Sequence, residues 1–348
     1  MPFILRRGNR MRNLDRPVVL RRARRGDLDG IFRLAQCAGP GLTNLQPDRD
    51  RLAERIATSM GAPGACGLQP AVLFALEVEG ETRGVAAVWP RIGHERPFYS
   101  FRIGEETAAC ETHGLMVKNR TLTLTSEFSG AAEVGGLLVD KALRGLAAGR
   151  LAARARYLFI AEHRASFPQR VLAELRGWQD AAGVSPVWEA LGRRLYGVEF
   201  AHADRLSTLG HDFIGEMTPR HPIYLDLLPP EAQAAIGRPH DDGRAALKML
   251  LDEGFTAPGY VDVFDGGPTV CAEIDQVRTV RESRREPVVE IADLDDAAAD
   301  HLVCAGVHQA FRAARGGLRR TGEGVVLARP LAEALGVSAG DQVRHVVF

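Results

Sequence analysis

Three features of this sequence predict an α/β fold. Short aliphatic and β-branched runs alternate with amphipathic stretches of helical period, and Gly- or Pro-bearing turns separate them. At 348 residues, the chain is also long enough to build more than one core. Residues 17–200 read as one α/β unit, residues 201–285 as a second, abbreviated one, and residues 286–348 as a small β-rich tail. Residues 1–16 read as a basic disordered extension.

The elements follow in order. Val18, Val19 and Leu20 open a strand, and Asp27 is placed to cap a helix carrying Leu28, Ile31, Phe32, Leu34 and Ala35. A Gly-rich loop, "AGPGLTNLQ", precedes a second helix from about Asp48 to Ser59. "AVLFALEVEGETRGVAAVWP" predicts a hairpin turning near Glu79 to Glu81. "RTLTLTSEFSGAAEVGGLLVD" alternates Leu and Thr, then supplies the extended run from Gly135 to Val139. "KALRGLAAGRLAARARYLFIAEHR" is a Gly-interrupted turn entering a helix, and "RVLAELRG" is a further strand. "SPVWEALGRRLYGVEF" predicts a helix delivering a short strand. "LKMLLDEGF" before the strand "YVDVF" echoes that shape, which suggests two copies of one architecture. "GVVLARPLAEALGVSAGDQVRHVVF" closes the chain as strand, short helix, turn and strand.

Composition narrows the function. Forty-four basic and 44 acidic residues give zero formal charge, which argues against a large nucleic-acid footprint. The five cysteines (37, 66, 110, 271 and 304) show no CxxC, so neither a disulfide frame nor a metal site is expected, and the cytoplasm is the natural compartment. No apolar run approaches the roughly 20 residues that cross a bilayer.

Two places carry chemistry. After the strand ending at Val139, "DKALRGLAAGRL" sets small residues Gly145, Ala147, Ala148 and Gly149 at the mouth of a helix. Its exposed N–H groups suit a pyrophosphate, and Arg144 and Arg150 flank it. The alternative is an ordinary helix start with surface arginines. The second place is "IGRPHDDGRAALKMLLDEGF", where Pro239 stiffens the approach and Asp241 or Asp242 is placed to cap the helix. His240 at that helix mouth is either a turn residue or a proton-transfer group.

The pattern Arg144-x-x-Ala147-x-Gly149 after a strand resembles the acyl-CoA loop of GNAT acyltransferases. Within that superfamily, "GLTNL" (41–45), "YSFRIG" (99–104), "AELRG" (173–177), "SPVWEALGRR" (185–194), "MTPRHPIY" (217–224), "IGRPH" (236–240) and "FDGGPT" (264–269) resemble the arginine N-succinyltransferase family. The resemblance implies a tandem GNAT-like fold and transfer of succinyl from succinyl-CoA, a co-substrate rather than a bound cofactor, to the α-amine of L-arginine. It places the proton donor at His240 and a succinyl-CoA contact at Leu137, with Val139, Arg144, Gly145, Ala147 and Gly149 along the same arm. Two departures stand out: Ala147 occupies a loop position where glycine is usual, and "SEFSGAAE" (126–133) replaces a more polar run.

A guanidinium and an α-carboxylate call for opposite partners. Glu127, Glu133 and Glu174 are candidate acidic contacts, Arg102 and Arg176 candidate carboxylate holders, and His221, in the Pro-flanked "PRHPIY" turn, a candidate on the substrate side. Gly266, Gly267 and Pro268 predict a tight turn beside the cleft. An ornithine-preferring enzyme subunit and a non-catalytic binding subunit remain as alternatives, and a homo-oligomer or an assembly with a paralogous subunit is expected. The tail resembles the strand-helix-strand element of DNA-binding barrels; on a chain of zero net charge it reads as a small structural barrel.

Overall fold

The computed structural model describes residues 17–37, 45–61, 71–207, 212–294 and 299–348. The expected extension, most of the Gly-rich loop including residues 41–44, and His211 lie outside the described residues.

From the N-terminus, β1 (Val19–Arg22) leads to helices α1 (Leu28–Gln36) and α2 (Arg49–Met60). β2 (Val72–Val78) and β3 (Glu81–Trp89) form the expected hairpin. Glu79 and Gly80 at its turn both take positive φ, 52° and 83°, matching the twist of paired strands. A longer hairpin, β4 (Ser100–Cys110) with β5 (Leu115–Thr125), precedes β6 (Ala132–Val139), α3 (Ala148–Glu162) and β7 (Arg170–Glu174). The π-helical turn Trp188–Gly192 then enters α4 (Arg193–Tyr196), followed by α5 (Phe200–Ser207), α6 (Phe213–Met217), β8 (Ile223–Tyr224), α7 (Pro230–Ala235) and α8 (Arg244–Asp252). β9 (Thr256–Val261), β10 (Pro268–Glu273) and α9 (Arg278–Glu282) complete this region. The C-terminal part contains β11 (Arg284–Ala292), β12 (Ala299–Ala305), β13 (Arg312–Arg320), β14 (Val325–Ala328), α10 (Arg329–Leu335) and β15 (Gln342–Val347).

The central sheet runs β1-β2-β3-β6-β7-β10-β9-β4-β5-β8. Strands from residues 201–285 therefore hydrogen-bond directly into the sheet begun by residues 17–200. Strand alternation decides which side chain meets which helix layer. Phe74 and Leu76 pack with α3 through Leu151, Ala155 and Phe159, and the Phe74 and Phe159 rings meet edge-on at 5.2 Å. Leu73, Ala75, Val85 and Ala87 face the other way, against Ile31, Leu34, Leu52 and Ile56 of α1 and α2.

Several local expectations need correction. Asp27 does not cap α1: its carboxylate receives both Arg21 Nη atoms at 2.8 Å, and the Thr82 hydroxyl at 2.8 Å. A buried guanidinium outcompetes a helix amide for that acceptor. The segment 197–200 is not a strand: Gly197, at φ 68°, ends α4, and the Glu199 carbonyl starts the next helix by accepting from His202 and Ala203. The echo with α8 and β9 is thus limited to its helix. β9 also ends at Val261, because the Asp262 carboxylate accepts from the amides of Phe264 and Asp265 and bends the chain.

The tail is a closed barrel in the order β12-β15-β11-β14-β13, sealed by β12–β13 pairing. Val303, Leu318, Val325, Leu327 and Leu331 fill it, and β13 joins it to the main sheet through β1. Only β14, α10 and β15 were foreseen. β13, "RAARGGLRR", lacks the β-branched residues that announce a strand. No helix among the described residues is long and apolar enough to cross a membrane.

Candidate active site

The sheet opens at one seam. β6 and β7 run parallel but pair only through Ala132–Val171 and Glu133–Leu172, then part. On its other edge β6 carries an extra residue against β3: Val85 faces Leu138 while Ala87 faces Gly135. Gly136 and Leu137 form that bulge, with Gly136 at φ 55°.

A cavity of about 730 Å³ occupies the gap, lined by residues 134–139, 173–176, α3 and α8. Leu137, Val139, Arg144 and His240 all line it. Gly145 (φ 84°) and Ala147 (φ 57°) shape the turn before α3; they, with Gly149, are not part of the cavity wall itself. Arg150, one turn into α3, does line it. The Arg144 guanidinium lies 3.8 Å from Asp242, two residues beyond the histidine, so the loop and the His240 turn meet across the opening.

His240 is held by its main chain. Its N–H donates to the Arg176 carbonyl at 2.8 Å, Gly177 pairs with Pro239 in a β-bridge, and the Trp178 amide donates to Arg238. The Arg238 guanidinium covers the Trp178 ring at 4.4 Å. Neither aspartate caps the following helical turn through its side chain. The imidazole does so, with Nδ1 accepting from the Asp242 amide at 3.2 Å. In the neutral ring that contact leaves the proton on Nε2. Partial burial and then the positive charge of Arg176 pull the His240 pKa below its ordinary 6.5, against the opposing pull of Asp242 and Asp241.

Beneath this turn "FDGGPT" behaves as expected. Gly266 takes φ 68°, and a Cβ on Gly267 would collide with the Leu175 carbonyl oxygen, so only glycine permits this approach to β7. Asp265 fastens the turn by accepting from the amides of Gly177 and Gly267 at 2.8 and 2.9 Å. Burial and the neighbouring Asp262 carboxylate push Asp265 up to about 8. Glu174, which lines the cavity, is raised well above the ordinary carboxyl value by burial and by Asp262, Glu133 and Asp265.

The remaining candidates are not brought to the cavity. Glu127 accepts from the Tyr260 hydroxyl, Arg102 pairs with Tyr260 across β4 and β9, and His221 is exposed just before β8. Among the acidic candidates, Glu174 alone lines the wall, and Arg176 lines it beside His240. Sequence reasoning passed over Arg154 and Arg156 of α3, both buried and both lining the cavity. Their signal was two charges inside the otherwise apolar run "LAARARYLFIA".

Parted parallel strands, a bulged β6, a helix starting at the foot of the gap and a long cavity through the seam define a GNAT-like acyltransferase. More particularly, the chain belongs to the arginine N-succinyltransferase family. The family described as AstA, arginine N-succinyltransferase beta subunit, matches residues 18–279, and its C-terminal domain, AstA_C, matches residues 284–346. The chain is 38% identical over 342 residues to arginine N-succinyltransferase of Yersinia pestis (strain Pestoides F), covering 94% of this chain and 97% of that one. It is 35% identical over 340 residues to the enzyme of the same name from Enterobacter sp. (strain 638), covering 94% and 97%. Among solved structures, arginine/ornithine succinyltransferase subunit AI from Pseudomonas aeruginosa is similar at a TM-score of 0.85 and 33% identity, over 95% of this chain and 99% of that one.

Proposed function

We propose that this chain transfers the succinyl group of succinyl-CoA to the α-amine of L-arginine, with His240 as the proton donor. The observation that carries the reading is the placement of His240 in the same cavity as residues 134–139 and Arg144, with an Nε2 proton to give. The pyrophosphate rests on the turn at Gly145, Ala147 and Gly149, with Arg144 and Arg150 as its cations. The pantetheine arm lies along Leu137 and Val139, where β6 no longer pairs with β7. The main-chain amide of Leu137, at the bulge, donates to the thioester oxygen as charge builds there.

The neutral α-amine adds to the thioester carbon, forming the C–N bond. As the C–S bond breaks, the proton shed by the adduct's nitrogen reaches the departing thiolate by way of His240, whose Nε2 gives its proton to sulfur and is reprotonated in the same step, so that the ring stays neutral. Glu174 puts a carboxyl group on the cavity wall, where a cationic acceptor favours its ionised form. The chain works in an oligomer, as the designation "subunit" for the Pseudomonas relative supports.

That relative's description also favours a second reading, in which ornithine is accepted. Thiol release from succinyl-CoA with each acceptor, combined with mass detection of the product, decides between them. N-succinylarginine as the main product supports the proposal, faster turnover of ornithine supports the second reading, and no thiol release with either rejects both.

A further inference from the structure

The cations around the cavity differ in how they are satisfied. Lys141, Arg144 and Arg150 are exposed at its mouth. Lys248 pairs with Asp252 at 2.8 Å and Arg278 with Glu282 at 3.2 Å. Arg154, though buried, pairs with Glu253 at 3.0 Å. Arg176 donates to Gln179 at 2.9 Å and has Asp265 and Asp242 as acidic neighbours.

Arg156 stands apart. It is 3% exposed, and its described hydrogen bonds go to main-chain carbonyls: Gly135 at 3.1 Å, Ala153 at 3.4 Å and Ala87 at 3.5 Å. Carbonyl dipoles satisfy N–H groups but leave the net charge in place, and a buried charge without a counter-charge is costly. Burial pulls its pKa down, and the largest opposing influence is the neighbouring Tyr157 rather than a carboxylate.

Its position gives that charge a use. Ala87 and Gly135 are register partners across β3 and β6, immediately before the bulge at Gly136 and Leu137. The guanidinium therefore sits on the carbonyl two residues before Leu137, at the edge of the bulge. A four-carbon diacid thioester whose carbonyl oxygen rests on the Leu137 amide has its free carboxylate only two methylenes further on, within the span of that bulge.

We propose that Arg156 is the counter-ion of the succinyl carboxylate and the residue that selects a dicarboxylic acyl donor over a neutral one. This rests on the assignment of the cavity to an acyl-CoA but not on the identity of the acceptor. A neutral acyl chain of equal length leaves the guanidinium buried and unpaired, whereas the carboxylate pairs with it through Nη2, which none of those carbonyl bonds uses.

The test compares succinyl-CoA with butyryl-CoA, which has the same chain length and no carboxylate. Titration calorimetry without acceptor reads binding alone, so failure of arginine turnover does not obscure the result. In the wild-type protein, succinyl-CoA binds at least about tenfold more tightly than butyryl-CoA. In Arg156→Met the preference collapses or reverses while free CoA binds as before, and Arg156→Lys retains part of it. Equal wild-type affinities for the two thioesters overturn the proposal whatever the variants do. An Arg156→Met protein that folds and keeps its preference overturns it as well. Loss of thiol release with arginine alone, the donor preference being intact, rejects the transfer reaction and leaves the Arg156 assignment standing.

Discussion

The His240 main-chain N–H donates to the Arg176 carbonyl at 2.8 Å, so the imidazole and the guanidinium that depresses its pKa are fixed to each other by backbone. Arg176→Gln keeps the carbonyl and removes the charge. The His240 pKa should then rise toward 6.5, and the limb of the kcat/KM profile that reports this ring should move to higher pH. A pH–rate profile of the two proteins measures the shift; an unmoved limb disconnects the pair.

The Asp265 carboxyl, raised from 3.8 to about 8, sets a pH dependence of stability. Between those values the folded state holds a proton that the unfolded chain has released, so stability is greatest at the acid end and falls as pH rises toward 8. Asp265→Asn keeps an acceptor for Gly177 or Gly267 and removes the titration. Its Tm should therefore decline less than the wild type's between pH 5 and pH 8, measured by calorimetry.

Arg154 and Glu253 form a buried pair, with the carboxylate also receiving the Thr279 amide at 2.8 Å. Glu253→Ala leaves a guanidinium uncompensated at the junction of α3 and α9 and should cost about 3–5 kcal/mol. Urea unfolding checks it; a cost within error of zero means the pair carries no stability.

Ala147 holds a left-handed conformation, φ 57°, at the start of α3. An L-side chain there costs roughly 1–2 kcal/mol, part of which the unfolded-state entropy of glycine takes back. Ala147→Gly should therefore stabilise by up to about 1 kcal/mol without weakening CoA binding, measured by thermal unfolding and calorimetry.

How legible each part was follows from the range of the interaction that fixes it. The β2–β3 hairpin and α3 were readable because turn residues and apolar period are local. Motif resemblance placed His240, Leu137 and Arg144 at one site, and the fold brings those three to one cavity. Asp27 was misread as a cap because its true partner, Arg21, sits six residues back on a strand, where spacing rules for helices do not apply. The buried charges Arg154 and Arg156 and the carboxyls Asp262 and Asp265 derive their character from burial created by distant segments. β13 was overlooked because barrel closure, rather than strand propensity, makes those residues extended.

We propose above all that His240 moves a proton within the acyl-donor cavity. Its most direct test is thiol release from succinyl-CoA, with L-arginine as acceptor, by His240→Ala protein of wild-type Tm. A fall in kcat of about 10²–10⁴-fold with unchanged succinyl-CoA affinity is predicted. Turnover equal to the wild type's would contradict the account.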